Sequence, residues 1–268
     1  MAILKSAMST DTVDNTHPIV ALQLYTIRDA LSQNLHDTLG KVAEMGYRYV
    51  EVADTYNYTL PEFVKILETY NLTAISSHID YLVLLQDAQK AIKEAKEAGV
   101  KYIVIPWIGP EVWENDSLRK DTISMMDGIA KDCNKQGIQL CYHNHAHEIN
   151  NPMGINFLDF IIESTSSIWL ELDLGWVYVA TGENPLNLVK KYTSRIGLFH
   201  LKDVEQRDPV LFTELGEGKS INWAQILPEI WQINKSPWII EQDDNFRENS
   251  ISSAGTGFIN IQKILTKI

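Results

Sequence analysis

Apolar residues in this chain gather into short runs, and the stretches between them carry helical period. Runs of strand type stand at Ile19–Leu24, Tyr47–Val52, Thr73–Ser77, Tyr102–Ile105, Ile138–Tyr142, Ile168–Leu172, Ile196–Leu201 and Trp238–Ile240, eight in all. Between the third and fourth runs, Ala88, Ala91, Ile92, Ala95 and Ala98 recur at helical spacing with Lys and Glu between them. The run that follows, Val100–Ile105, is rich in β-branched residues, as suits a strand covered on both faces.

The punctuation repeats as well. Gly46, Gly99 and Gly137 each follow a helical stretch and precede a strand, and Asn71 holds the same place in a fourth unit. A residue that ends a helix in the left-handed region is best Gly, which has no Cβ to clash, and next best Asn. Strands alternating with helices predict parallel pairing. Eight such units in this length fit an α/β fold of the closed (β/α)8 type, with an open doubly wound sheet as the alternative. No Gly-rich phosphate fingerprint follows the first strand, which argues against a dinucleotide-binding sheet. There is no linker or composition break, so residues 18–268 are read as one barrel domain. Residues 1–17 are read as a flexible N-terminal arm, too weakly apolar for a secretory signal.

Composition narrows the function. The 268 residues carry 23 Lys+Arg against 35 Asp+Glu, a formal charge of −12. No dense basic stripe offers itself to nucleic acid. No apolar run approaches the ~20 residues of a membrane span. Cys133 and Cys141 match no zinc ribbon and build no disulfide framework. The expected partner is a small molecule, with homo-oligomerisation open. The expected compartment is the cytoplasm, or the periplasm if the arm is a processed leader.

In such a barrel, chemistry sits at the C-terminal ends of the strands. Reactive side chains cluster there. Five of the seven histidines (His78, His143, His145, His147 and His200) lie at predicted strand ends. His143, Asp173, His200 and Glu241 come from the last four strands, and two imidazoles with two carboxylates suit one divalent ion of the Mn, Zn, Co or Fe class. The alternative is a set of ordinary hydrogen-bonded groups packed in the barrel mouth. Alternation puts His143 and His145 on one face, so His145 stands one layer higher, toward a substrate. Glu148 is the rival fourth ligand, reached if the chain folds back. Lys202 faces inward with His200 and is a candidate acid, base or oxyanion partner, or else an ion-pair partner of Glu51 or Asp203. Glu51 is the candidate general base for a carbon-bound proton, or else a salt-bridge partner of Lys202 or Arg28. Tyr25, Trp107, Trp176 and Trp223 fall near strand ends, where aromatic faces stack on sugar rings or simply pack. Glu214–Lys219 is a Gly-rich segment, a lid or an ordinary turn.

The runs LQLYTIRDAL, GYRYVEVAD, YHNHAHE, ELDLGW, RIGLFHLKD, ELGEGKSINW and IIEQDD resemble the sugar phosphate isomerase/epimerase family, the xylose isomerase-like TIM barrels. The resemblance covers Val20 to the C-terminus. It implies one divalent metal at the barrel mouth, with Asp173, His200 and Glu241 at the family's metal positions. The family commonly has Glu where this chain has His143. The His-rich version is similar to inosose-dehydratase-like members and to a branch acting on 3-keto-glycosides. The implied chemistry is metal-assisted proton transfer next to a ketone, with Glu51, His145 or Lys202 as base and Tyr25, His78, Trp107, Glu148 and Trp176 around the substrate. The first expectation is a sugar or keto-sugar isomerase or epimerase working through an enediolate. The alternative is a lyase, a dehydratase or a 3-keto-glycoside β-eliminase, sharing the same first step. Abasic-site nucleases share the barrel, but the acidic balance argues against that use. A barrel retained only for binding is a further alternative.

Overall fold

The structure, a computed structural model, describes residues 17–268; the rest of the arm expected over residues 1–17 lies outside the described residues. In chain order the elements are β1 (Val20–Gln23), α1 (Arg28–Gln33), α2 (Leu35–Glu44), β2 (Tyr49–Val52), α3 (Leu60–Thr69), β3 (Thr73–His78), α4 (Tyr81–Ala98), β4 (Tyr102–Ile105), α5 (Pro110–Trp113), α6 (Asp116–Lys135) and β5 (Gln139–His143). There follow α7 (Phe157–Ser164), β6 (Trp169–Asp173), α8 (Leu174–Thr181), α9 (Leu186–Tyr192), β7 (Ile196–Leu201), β8 (Asp203–Arg207), β9 (Val210–Thr213), α10 (Trp223–Ile233), β10 (Trp238–Ile240) and α11 (Ser250–Leu265). Eight strands close a parallel barrel in the order β1-β10-β7-β6-β5-β4-β3-β2. All eight expected strands are present, each within two residues of its expected bounds.

The helix boundaries follow from local chemistry. Thr59 and Glu62 form a reciprocal capping box at the start of α3, and the Asp80 side chain accepts from the Leu82 N–H at the start of α4. Gly46, Asn71, Gly99 and Gly137 all have positive φ, as their places between helix and strand require.

Strand alternation then divides the core in two. Outward residues such as Val50, Tyr142, Leu172, Phe199 and Trp238 pack under the helices. Inward residues Ala21, Ile75, Val104, Cys141, Leu198 and Ile239 form a separate apolar plug. Beyond this plug, toward the strand C-termini, the inward positions turn polar and charged. That switch positions the site.

Two connections matter there. Asp173 ends β6 and is also the N-cap of α8, its Oδ1 accepting from the Trp176 N–H at 2.8 Å. The helix therefore starts directly on the strand. A Cβ at Gly175 would lie 2.3 Å from the Lys202 carbonyl oxygen, so only Gly lets α8 pass this close to the end of β7. After β7 the chain makes an antiparallel hairpin, β8–β9, which the strand pattern did not predict. The Glu214–Lys219 segment that follows is an ordinary turn. The N–H groups of Gly216 and Gly218 donate to Asp203 Oδ2 at 2.8 and 3.1 Å, which ties the segment down.

Candidate active site

The polar end of the barrel interior is built in layers. Deepest are two fully buried carboxylates, Glu51 on β2 and Glu171 on β6. His78 from β3 lies 3.0 Å from each of them. Gln23 Nε2 donates to Glu51 Oε1 at 2.7 Å. Above them stand the imidazoles of His143 and His200. His143 Nδ1 is 2.9 Å from Glu171 Oε2, while His200 Nε2 is 2.7 Å from Glu51 and 3.1 Å from Glu171. The other nitrogens face upward. His143 Nε2 is 3.9 Å from Asp173 Oδ2, and His200 Nδ1 is 2.9 Å from Glu241 Oε2. Lys202 closes the group, its Nζ 2.8 Å from Glu241, 2.9 Å from Asp243 and 3.2 Å from Asp173.

Electrostatics set the protonation. Burial opposes the charge on Glu51, but His78 and His200 hold its carboxyl well below the usual carboxylate range. His78 is likewise penalised by burial, yet Glu51 and Glu171 push it up to about 10. Burial and the cations around it drive His143 well below its ordinary value, so it is neutral. Burial and Lys202 bring His145 down to about 3. Burial raises Asp173 to about 6 despite Lys202 and His200, whereas for Glu241 those same two cations outweigh burial and lower it. Lys202 is raised well above its ordinary value, burial being outweighed by Asp173, Asp243 and Glu241. The three carboxylates hold it as a cation.

Burying this many ionisable groups costs several kcal/mol per ion, and a well-packed apolar interior is often as stable. Stability alone does not account for the cluster. One ligand atom each from His143, Asp173, His200 and Glu241 lies within 4.8 Å of the others. Asp173 Oδ2 is buried and has no hydrogen-bond partner, and Lys202 is its nearest cation. These donors fit a divalent ion, and they are the four residues the strand-end argument selected. His78, His143, Glu171 and His200 form a second, deeper grouping that shares both imidazoles.

Over the upper group opens a cavity of about 420 Å³, within the range of small-molecule sites. His143, His145, Lys202 and Glu241 reach it from below, and Tyr25, Arg28 and Trp107 from the rim. Arg28 lies over the Tyr25 ring at 3.9 Å, and its Nη2 donates to the Asp243 carbonyl oxygen. His145 stands edge-on to Trp107, with ring centroids 4.8 Å apart, and its Nδ1 is buried without a partner.

Several expected roles do not survive this geometry. Glu51 lies beneath the imidazoles and does not line the cavity, so it is not placed to take a proton from a substrate carbon. Glu148 points away from the donor group. It is fully buried, accepts from the Tyr142 hydroxyl and the His145 N–H, and is reached by neither the cavity nor the ligand cluster. Lys202 pairs with Asp173, Glu241 and Asp243 rather than with Glu51 or Asp203. Trp176 does not line the cavity; it backs His145 at 5.3 Å and carries the Lys202 ammonium over its ring. Trp223 is core. His78 reaches the cavity but is mostly engaged with Glu51 and Glu171. Sequence reasoning missed Gln23, Glu171 and Asp243. The alternation that paired His200 with Lys202 also pairs Glu171 with Asp173 and Asp243 with Glu241, so that signal was present.

The structure is thus a parallel eight-stranded barrel with, at its C-terminal mouth, a two-imidazole, two-carboxylate cluster that could hold a metal ion. Within it, residues 39–259 match the family described as xylose isomerase-like TIM barrel, and the chain belongs to that family. It is 26% identical over 250 residues to an inosose dehydratase of Geobacillus kaustophilus, covering 76% of this chain and 79% of that one. A sugar phosphate isomerase/epimerase from Parabacteroides distasonis superposes with a TM-score of 0.77 at 19% identity, covering 97% and 98% of the two chains. A xylose isomerase-like barrel from Mycobacterium smegmatis, solved in complex with magnesium, superposes at 0.69 with 16% identity, covering 94% and 97%. Among the described residues no helix is long and apolar enough to cross a membrane.

Proposed function

We propose that this chain is a divalent-metal-dependent enzyme that removes the proton next to the ketone of a sugar or cyclitol and completes the reaction as a carbon–oxygen lyase. His143, Asp173, His200 and Glu241 would hold the ion. When bound, such an ion polarises a ketone oxygen and lowers the energy of the enolate charge beside it. Lys202, fixed by its three carboxylates, supplies a second positive charge to that oxygen without reorganising. Tyr25 and Trp107 offer apolar faces to the ring and exclude water from it.

The observation that carries the lyase outcome is His145. It is the neutral side chain that faces the cavity with a buried nitrogen unpartnered. His143 is neutral too, but its nitrogens face Glu171 and Asp173. One imidazole that takes the α-proton and passes it to the departing β-oxygen on the same face suffices for elimination. The carbon–hydrogen and carbon–oxygen bonds break, a carbon–carbon double bond forms, and the proton leaves on the oxygen. Inverting a stereocentre needs a second proton relay on the other face, whereas a one-face isomerisation needs the same single base and is not disfavoured by this geometry. The curated relative's name, inosose dehydratase, points the same way.

Isomerisation or epimerisation, the first expectation from sequence, is retained as the second reading because the Parabacteroides structure carries that name. Incubation with Mn²⁺ and a panel of inososes and 3-keto-glycosides in deuterated water, followed by NMR, separates the two. Loss of the β-substituent with an unsaturated carbonyl product supports the lyase. Deuterium at the α-carbon of an intact isomer supports the second reading and removes the first.

A further inference from the structure

Two cations of the Lys and Arg type border the cavity, Lys202 and Arg28. The charge on Lys202 is met by Asp173, Glu241 and Asp243. Arg28 is held differently. Its Nη1 donates to the Tyr25 carbonyl oxygen at 2.8 Å, its Nη2 donates to the Asp243 carbonyl oxygen at 2.9 Å, and the guanidinium lies over the Tyr25 ring. Glu51, a partner the sequence suggested for it, is engaged in the deep layer by His78, His200 and Gln23. Among the described residues no carboxylate lies within ion-pair distance of Arg28. Carbonyl oxygens and a ring face fix the direction of a guanidinium and leave its charge in place. A guanidinium also carries five N–H donors, more than these two bonds use.

We propose that Arg28 is a specificity-determining residue that binds a carboxylate on the substrate, so that the preferred substrate is a keto sugar acid and not a neutral sugar. This rests on the cavity being the substrate site, and not on which bond breaks there. Arg28 and Lys202 meet the same residue, Asp243, one at its carbonyl oxygen and the other at its carboxylate. The guanidinium is therefore one residue away from the group that holds Glu241 and Asp173, and one ring-sized molecule can reach both. A carboxylate matches the fork of a guanidinium with two parallel hydrogen bonds and a single charge. A dianionic phosphate fits less well, because Asp243 and Asp244 also border the cavity. If Arg28 only clamped the Tyr25 turn to Asp243, the rim would be firmer but no preference among ligands would follow.

The test uses the intact chain and three probes that share one ring, D-glucuronate, D-glucose 6-phosphate and D-glucose. Each is titrated calorimetrically into wild type, Arg28→Gln and Arg28→Lys, with saturating Mn²⁺ and again after chelator treatment. Wild type is expected to bind glucuronate about 10–100-fold tighter than glucose, the usual worth of hydrogen bonds to a charged group. Arg28→Gln should bind the two alike, and Arg28→Lys should keep part of the preference, since it retains the charge without the fork. Equal binding of glucuronate and glucose by wild type overturns the proposal, and so does binding of neither; both readings use wild type alone and hold even if a variant does not fold. An equal loss of both ligands in Arg28→Gln reduces Arg28 to a clamp. A preference that survives in Arg28→Gln assigns the carboxylate to the ion or to Lys202, and tighter binding of glucose 6-phosphate than of glucuronate assigns the wrong anion; either result overturns the proposal. The chelator arm keeps the metal reading separate. An Arg28-dependent preference in a chain that binds no Mn²⁺ removes the ion and leaves Arg28 assigned.

Discussion

Lys202 pairs with three carboxylates in a buried position, of which only Glu241 also meets His200 directly, so its removal leaves negative charge that is largely uncompensated. Breaking one side of a buried ionic group typically costs about 3–5 kcal/mol. Lys202→Met is therefore expected to lose stability of that order in urea titrations without metal, and to lose less with saturating Mn²⁺, which replaces part of the missing charge. An equal loss in both conditions would separate Lys202 from the ion site. His145 is a different case, since no partner depends on its free nitrogen. His145→Ala should cut turnover by about 10²–10⁴-fold, the usual worth of a positioned acid–base group, with metal content by elemental analysis unchanged. A tenfold effect or smaller would move the base elsewhere. The donor set was legible at this scale because each ligand sits at a strand end, where alternation fixes its side. Glu148 was misread because the chain after β5 turns back on itself, with Asn150 N–H bonded to the Ala146 carbonyl oxygen, and delivers its carboxylate under Tyr142. Periodicity carries no information about such a turn. His78 reaches the cavity as expected, but its pairing with Glu51 and Glu171 was not readable, since β2 and β3 shift register between Val50 and Glu51.

Elements differ in how far they are tied to the site. The capping box of α3 supplies none of the donor atoms. Thr59→Ala should cost about 0.5–2 kcal/mol in chemical unfolding and leave Mn²⁺ affinity as it was. Gly175→Ala sits two residues from Asp173, at the seam between α8 and β7. The added methyl meets backbone, so the helix must shift, at about 1–3 kcal/mol for overpacking. Because Asp173 is both N-cap and donor, that shift is expected to weaken Mn²⁺ binding as well. A variant destabilised to that degree with wild-type affinity would show that α8 and the donor move independently. The barrel strands and the stops at Gly46, Asn71, Gly99 and Gly137 were readable because each follows from local sterics or from a two-sided apolar environment. The β8–β9 hairpin was not. Its strands are short and half exposed, with no strong apolar run to mark them. Its place is set by the Asp203 contacts to Gly216 and Gly218, which join residues distant in sequence.

For the whole molecule, the barrel is a scaffold whose apolar plug is complete and whose charged end is not. Three buried carboxylate oxygens there, on Glu51, Glu171 and Asp173, lack hydrogen-bond partners. The formal charge of −12 adds a field that favours cations over phosphate-rich polymers. An ion that binds the folded state and not the unfolded one stabilises the fold by mass action, about 2.7 kcal/mol at one hundred times its Kd. For a domain of this size each kcal/mol raises Tm by roughly 2–4 °C, so saturating Mn²⁺ should raise it by about 5–10 °C over the chelator-treated protein. The donor set makes the shift residue-specific. Glu241→Gln and Asp173→Asn should abolish most of it, because each replaces a charged carboxylate donor by a neutral amide. Thr59→Ala should lower the baseline Tm and keep the full metal increment. Thermal scans of these four proteins with and without Mn²⁺ check the expectation. A metal increment that survives in both ligand variants would place the ion outside the barrel mouth, and the chemistry assigned to that mouth would go with it.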